Sequence, residues 1–198
     1  MRVSAQFMLS AMDAAHFPKP GAPEVAFLGR SNVGKSSVIN SLLGEKLAKT
    51  SSTPGRTRSI NFFAVRRAGR SGPELLFADL PGYGYAKLSK EISAEWPKFI
   101  EPYLEKRETL ALSIVLVDTN IPPQDKDTQL IEWLKFHQRP FVIVGTKTDR
   151  ISNNALSNSL RTLKSAFGLD DILPYSTKTG AGRNDLWRRI GEACRLSD

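Results

Sequence analysis

Gly29-Arg30-Ser31-Asn32-Val33-Gly34-Lys35-Ser36 spells G-x-x-x-x-G-K-S. Glycines at that spacing let a backbone close on a polyphosphate with no Cβ in the way. Successive N–H groups and the positive end of a helix starting there then face the anion. Lys35 is placed to reach β- and γ-phosphates, and the Ser36 hydroxyl to ligate Mg²⁺. The plain alternative is a strand-to-helix turn that happens to carry a lysine. The flanks argue against it: the apolar run Val25-Ala26-Phe27-Leu28 precedes the loop, and Val38, Ile39, Leu42 and Leu43 follow at helical spacing.

Three more groups extend the same chemistry. Ser51-Ser52-Thr53-Pro54-Gly55-Arg56-Thr57-Arg58 lies in a stretch, 44–59, that is rich in Ser, Thr, Gly and Lys and poor in large apolar residues. It reads either as a surface connection or as a segment ordered by a bound nucleotide, with a threonine hydroxyl on the metal. Thr57 is the first choice for that threonine and Thr53 the reserve. Asp79-Leu80-Pro81-Gly82 is D-x-x-G at the end of an apolar run. There a carboxylate can hold a water on Mg²⁺, and the Gly82 N–H can reach a γ-phosphate. Thr146-Lys147-Thr148-Asp149 is T-K-x-D at another strand end. The Asp149 carboxylate can accept from both the ring N1–H and the exocyclic amine of guanine. Adenine lacks that donor pair and would leave the charged acceptor unpaired. The Lys147 stem can lie along the base, and a backbone N–H in the turn 176–178 can meet the guanine O6.

Positioning these groups takes an alternation of strands and helices. Ile60–Val65 and Glu74–Asp79 read as strands joined by turn residues, an antiparallel hairpin. Ala111–Val117 is a buried strand ending at Asp118. A helix with Leu130, Ile131, Leu134 and Trp133 inward follows Pro122-Pro123, and Phe141–Val144 is the next strand. Ser152–Phe167 has Leu156, Leu160 and Leu163 at helical spacing. Ile172–Tyr175 reads as a short strand. Asn184–Arg195 reads as the last helix, with Leu186, Ile190 and Ala193 or Cys194 inward and Arg188 and Arg195 sharing an outer face. Glu95–Lys106 is also helical in pattern, with a break or kink expected at Pro102. Residues 6–11 suit an edge strand, and Pro-rich Phe17–Pro23 a connector into the first core strand. The sum is an α/β doubly wound fold: three layers, a mostly parallel sheet with one antiparallel strand, and helices on both faces. All 198 residues are expected to form a single domain, with 1–23 as an N-terminal extension carrying the edge strand.

Composition narrows the rest. Lys and Arg outnumber Asp and Glu by 28 to 20, a formal charge of +8 that suits an anionic partner. One cysteine, Cys194, excludes an internal disulfide, and with only His16 and His137 neither a zinc site nor a Cys–His pair is convincing. His137, near a helix end, reads as a solvated or capping residue. No secretory signal is recognisable, and the longest apolar runs are too short to span a bilayer. A reducing, cytoplasmic setting without membrane attachment is expected.

The runs G-R-S-N-V-G-K-S-S, T-P-G-R-T with I-N-F-F, D-L-P-G-Y-G-Y-A-K and T-K-T-D resemble the translation-factor-related P-loop GTPases. Among these they are most similar to the bacterial EngB (YihA/YsxC-type) family, from about Phe7 to the last helix. The resemblance implies guanine-nucleotide contacts at Gly29, Arg30, Ser31, Asn32, Val33, Gly34, Lys35 and Ser36; at Gly55, Arg56 and Thr57; at Asp79, Leu80, Pro81 and Gly82; at Thr146, Lys147, Thr148 and Asp149; and at Tyr175, Ser176 and Thr177. It implies Mg²⁺ on Ser36 and Thr57, GTP hydrolysis served by Lys35, Thr57 and Gly82, and roles in large-ribosomal-subunit assembly and in cell division and septation. Ribosomal RNA or a large-subunit precursor is then the expected partner, and a monomer the expected state. Three positions depart from commoner patterns. Tyr83 stands where many GTPases place a water-orienting Gln, so hydrolysis should be slow without an activator. Thr146 stands where Asn is commoner, keeping a hydroxyl for a loop contact but losing an amide's reach, while Thr177 replaces a small Ala with little consequence if only its N–H is used. Asn32 resembles the residue that helps hold K⁺ in potassium-stimulated GTPases; a turn-forming role is the equal alternative. Two other classes compete: an RNA-binding module with negligible hydrolysis, and an ATP-using P-loop kinase.

Overall fold

The computed structural model describes residues 3–48, 59–67, 72–83 and 100–196. Seven strands form one sheet: β1 (Val3–Ala11), β2 (Glu24–Gly29), β3 (Ile60–Arg67), β4 (Leu75–Asp79), β5 (Leu110–Asp118), β6 (Phe141–Thr146) and β7 (Leu173–Pro174). Their spatial order is β1-β3-β4-β2-β5-β6-β7. β3 runs antiparallel to both its neighbours, while the pairs β4–β2, β2–β5, β5–β6 and β6–β7 are parallel. The expected mostly parallel sheet with one reversed strand is therefore what forms, and β3–β4 is the expected hairpin.

β2 and β5 are buried on both faces and mostly apolar, as suits strands sandwiched between helix layers. Val25 and Phe27 point into one core, with Val38, Ile39 and Leu42 of α1 (Lys35–Leu43) and Leu186, Trp187 and Ile190 of α5 (Arg183–Ala193). Ala26 and Leu28 point into the other. There they meet Ile100, Tyr103 and Leu104 from α2 (100–106), Ile131 and Leu134 from α3 (Asp125–Phe136), and Leu163 and Phe167 from α4 (Asn153–Phe167). Alternation along the strand thus sorts the chain into three layers.

The edge strand β1 runs three residues further toward the N-terminus than its spacing suggested. Its register against β3 slips between Phe7 and Leu9, leaving Met8 as an extra residue. The bulge reverses the alternation, so Val3 and Ala5 face one core and Leu9 and Ala11 the other. The expected start of α2 near Glu95 lies outside the described residues, and Pro102 is accommodated in the described helical stretch.

One expectation fails. Arg188 and Arg195 do not share a helix face, because α5 ends at Ala193 and Arg195 has φ of 51°. The Leu196 N–H bonds back to the Gly191 carbonyl (2.9 Å), and Leu196 packs on the core, so the chain turns out of the helix there.

Candidate nucleotide-binding site

The candidate groups sit at the carboxyl ends of parallel strands, where open α/β sheets bind ligands. Gly29 ends β2, Asp79 ends β4, Asp118 ends β5 and Thr146 ends β6. The phosphate loop leaves β2 at Gly29, where a Cβ would lie 2.8 Å from Val33 Cγ1 and 3.0 Å from the Leu116 carbonyl oxygen. Only glycine permits that approach. The loop enters α1 through Gly34 at φ 103°, in the left-handed region, and Val38 N–H closes the first helical turn on the Gly34 carbonyl (2.9 Å).

On one side the loop meets D-x-x-G. The Lys35 ammonium pairs with the Asp79 carboxylate. Leu80 and Pro81 are buried, and the Leu80 N–H donates to the Phe27 carbonyl (3.2 Å). A Cβ on Gly82 would lie 3.1 Å from both the N and Oγ of Ser31, so this backbone rests against the loop. Tyr83 and the loop exchange backbone bonds, Ser31 N–H to the Tyr83 carbonyl (3.1 Å) and Tyr83 N–H to the Gly29 carbonyl (3.3 Å). The Tyr83 phenol donates to Asp127 Oδ1 (2.9 Å), in the first turn of α3. Burial, then the Asp127 charge, pushes this phenol well above its ordinary range. Burial likewise raises the Asp127 carboxyl, only partly opposed by the bond from Tyr83 and the charge of Arg30.

On the other side the loop meets T-K-T-D. Thr146 Oγ1 donates 2.7 Å to the Val33 carbonyl and lies 3.1 Å from that of Val117, so the hydroxyl ties β6 to the phosphate loop as the substitution for Asn predicted. Lys147 Nζ donates to the Asn32 carbonyl (2.8 Å) and to Asp118 Oδ2 (2.6 Å). Asn32 is exposed with φ 67°, a turn conformation. Thr148 N–H donates to the Tyr175 carbonyl (3.4 Å). Asp149 is exposed, and the Ser176 hydroxyl donates to its Oδ1 (2.7 Å), the main influence holding this carboxyl below its ordinary range. Ser176 Oγ also accepts from the N–H groups of Lys178 and Thr179 (3.2 Å each), which fixes the turn carrying exposed Thr177. Tyr175 is buried, its phenol on Ser41 Oγ of α1 (3.0 Å), so only its backbone is left to line the site.

Gly55, Arg56, Thr57 and the reserve Thr53 lie outside the described residues. For Mg²⁺, the Ser36 hydroxyl at the head of α1 and the Asp79 carboxylate are hard oxygen donors of the right kind. Among the described residues no group of three or more His, Cys, Asp or Glu could hold a metal. His137 caps α3 and packs against Trp133 with ring centroids 4.1 Å apart and planes tilted by 30°; capping is the role its position suggested. Three residues went unnoticed as site residues: Asp118, Asn120 and Asp127. The one signal was that Asp118, like Asp79, ends a buried strand.

A glycine phosphate loop at the central strand, braced by D-x-x-G on one flank and T-K-x-D on the other, defines the P-loop GTPase class. The family model for 50S ribosome-binding GTPases matches residues 24–147. The "Probable GTP-binding protein EngB" of Koribacter versatilis is 59% identical over 98% of this chain and 95% of its own length. Among solved structures, a "probable GTP-binding protein engB" superposes with a TM-score of 0.69 at 24% identity, covering 88% of this chain and all of that one. Era in complex with MgGDPNP and nucleotides 1506–1542 of 16S ribosomal RNA superposes with a TM-score of 0.68 at 25% identity, covering 87% of this chain and 56% of that one. The chain belongs to the EngB family of GTP-binding proteins.

Proposed function

We propose that this GTPase is a slow, nucleotide-controlled switch acting in assembly of the large ribosomal subunit and, through it, in normal cell division and septation. It works as a cytoplasmic monomer, one G domain with residues 1–23 as its N-terminal extension. The observation that carries the site is the bracing of one loop from both flanks, Lys35 to Asp79 and Lys147 to Asn32. A phosphate contact and a base contact are thereby held a fixed distance apart, as a guanine nucleotide requires.

In this reading the N–H groups from Gly29 to Ser36 receive the phosphates, and Lys35 exchanges Asp79 for the β- and γ-oxygens. Ser36 and Thr57, with Asp79 nearby, would hold Mg²⁺, and the ion would supply charge neutralisation at the phosphates. Gly82 N–H meets the γ-phosphate, and the residues around Thr57 and Gly82–Lys87 respond to its presence. Asp149 selects guanine, with the N–H groups of the turn at Ser176 and Thr177 near its O6. Slow turnover follows from Tyr83, whose phenol is committed to Asp127 and cannot orient water as an amide does. The same observation favours a second reading, an RNA-binding module in which hydrolysis is negligible. A K⁺ ion beside Asn32 is the candidate extra charge; equal GTP turnover in potassium and sodium buffers removes it.

A ribosomal partner is supported by the family model's description and by the formal charge of +8. The test is co-sedimentation with large-subunit precursors. More protein should pellet with a non-hydrolysable GTP analogue than with GDP. Equal pelleting with both, or none, contradicts the switch.

A further inference from the structure

Register places Asp118 beside the T-K-T-D loop. In the parallel β5–β6 ladder Asp118 is the partner of Thr146, the residue before Lys147. Its carboxylate takes the Lys147 ammonium on Oδ2 (2.6 Å), while its Oδ1 accepts both the backbone and side-chain N–H groups of Asn120 (2.9 Å each). The Asn120 amide also donates to the Lys147 carbonyl (3.2 Å), and the ammonium donates onward to the Asn32 carbonyl in the phosphate loop (2.8 Å). Lys147 itself stands at φ 61°, which a side chain disfavours and these bonds hold in place. Burial works to raise the Asp118 carboxyl, but the bonds from Lys147 and Asn120 outweigh it and hold the group below its ordinary range. The Asp118 carboxyl is therefore ionised at neutral pH.

We propose that Asp118 is a positioning residue for the guanine base: it anchors the Lys147 ammonium against the phosphate loop, so that the lysine stem becomes a fixed wall of the base slot. The effect of Asp118 runs through Lys147, a side chain with four rotatable bonds whose ordering would otherwise be charged against binding. Because the ammonium bridges to Asn32, the same contact keeps base recognition in register with phosphate recognition. This rests on the assignment of Lys147 to the base slot.

The test is a double-mutant cycle read as GDP and GTP affinity in the presence of Mg²⁺, with thermal unfolding of each chain alongside. Asp118→Ala should weaken GDP and GTP by the same factor, roughly tenfold to a hundredfold, the range for losing a hydrogen bond to a charged group. Asp118→Asn, nearly isosteric, should fold as wild type and lose less. Lys147→Ala should also weaken both nucleotides, and adding Asp118→Ala to it should cost nothing further. A merely structural Asp118 would instead give losses that multiply in the double variant, and that result overturns the proposal. So does an Asp118→Ala chain whose affinity stays within about twofold of wild type while Lys147→Ala is weakened. If Lys147→Ala itself binds GDP as wild type does, the base-slot assignment falls and takes the inference with it.

Discussion

Lys35 and Asp79 neutralise each other in a half-closed site, so replacing one has two consequences. Lys35→Ala removes the cation proposed to meet the phosphates, and titration calorimetry should show GTP binding weakened by about 3 kcal/mol or more. It also leaves Asp79 buried without its partner, so the variant should melt lower than wild type before any nucleotide is added. Asp127 gives a pH signature. Its carboxyl titrates above its unfolded value because of burial, so the folded state binds the proton more tightly than the unfolded one. Its contribution to stability is therefore full at acid pH and falls as pH rises through the raised value. Asp127→Asn keeps an acceptor for Tyr83 without the charge, so its melting temperature relative to wild type should climb as pH rises from the acid range through the raised value. A constant difference between the two chains would contradict this. At this level the sequence was informative wherever a group belongs to a short motif: Lys35, Asp79, Asp149 and even the hydroxyl of Thr146 stand where spacing put them. Asp127 was silent and Asp118 was marked only as a strand end, because their partners Tyr83 and Lys147 lie 44 and 29 positions away and only folding brings them together.

Helix α1 shows why the elements were legible: Val38, Ile39, Leu42 and Leu43, picked by spacing alone, are all buried. The amphipathic signal is weaker where a helix packs a mixed face. In α3, Leu130 and Trp133 are only half-buried while Asp127 is buried, and in α5 Trp187 joins the core although spacing pointed to Leu186 and Ile190. The bulge at Met8 left no trace in the residue pattern, since an inserted strand residue is defined by its neighbour's register. The start of α5 depends on one glycine that spacing did not single out. Gly182 has φ 79°, and a Cβ there would lie 2.1 Å from the Pro174 carbonyl oxygen, at the end of β7. Gly182→Ala must move that backbone and should destabilise by about 2 kcal/mol or more in thermal or urea unfolding. Because β7 leads into Tyr175–Thr177, the same variant should also release guanine nucleotide faster. Unchanged stability would mean the turn between Thr179 and Gly182 is looser than its hydrogen bonds indicate.

Across the molecule, the sheet order gathers motifs from distant parts of the sequence into one row. β2, the strand carrying the phosphate loop, lies between β4 and β5, so D-x-x-G stands on one side of it and Asp118, then T-K-T-D, on the other. This is why the doubly wound fold and the guanine site were readable together from four short runs, whereas the surface that meets a partner was not: charge excess names a class of partner and no location. If that partner is ribosomal RNA, association with large-subunit precursors should weaken steeply between about 50 and 200 mM salt, because releasing condensed counterions gains less entropy as the bulk salt rises. Salt-independent pelleting would argue for a protein contact instead. Among the described residues no helix is long and apolar enough to cross a membrane. Beneath all of this lies one claim, that Gly29–Ser36 receives a polyphosphate whose purine Asp149 selects. Calorimetric titration of the Mg²⁺-supplied protein with GTP, GDP and ATP tests it most directly. GTP and GDP should bind with measurable heat and ATP should not; equal heats for guanine and adenine nucleotides, or none for either, would contradict it.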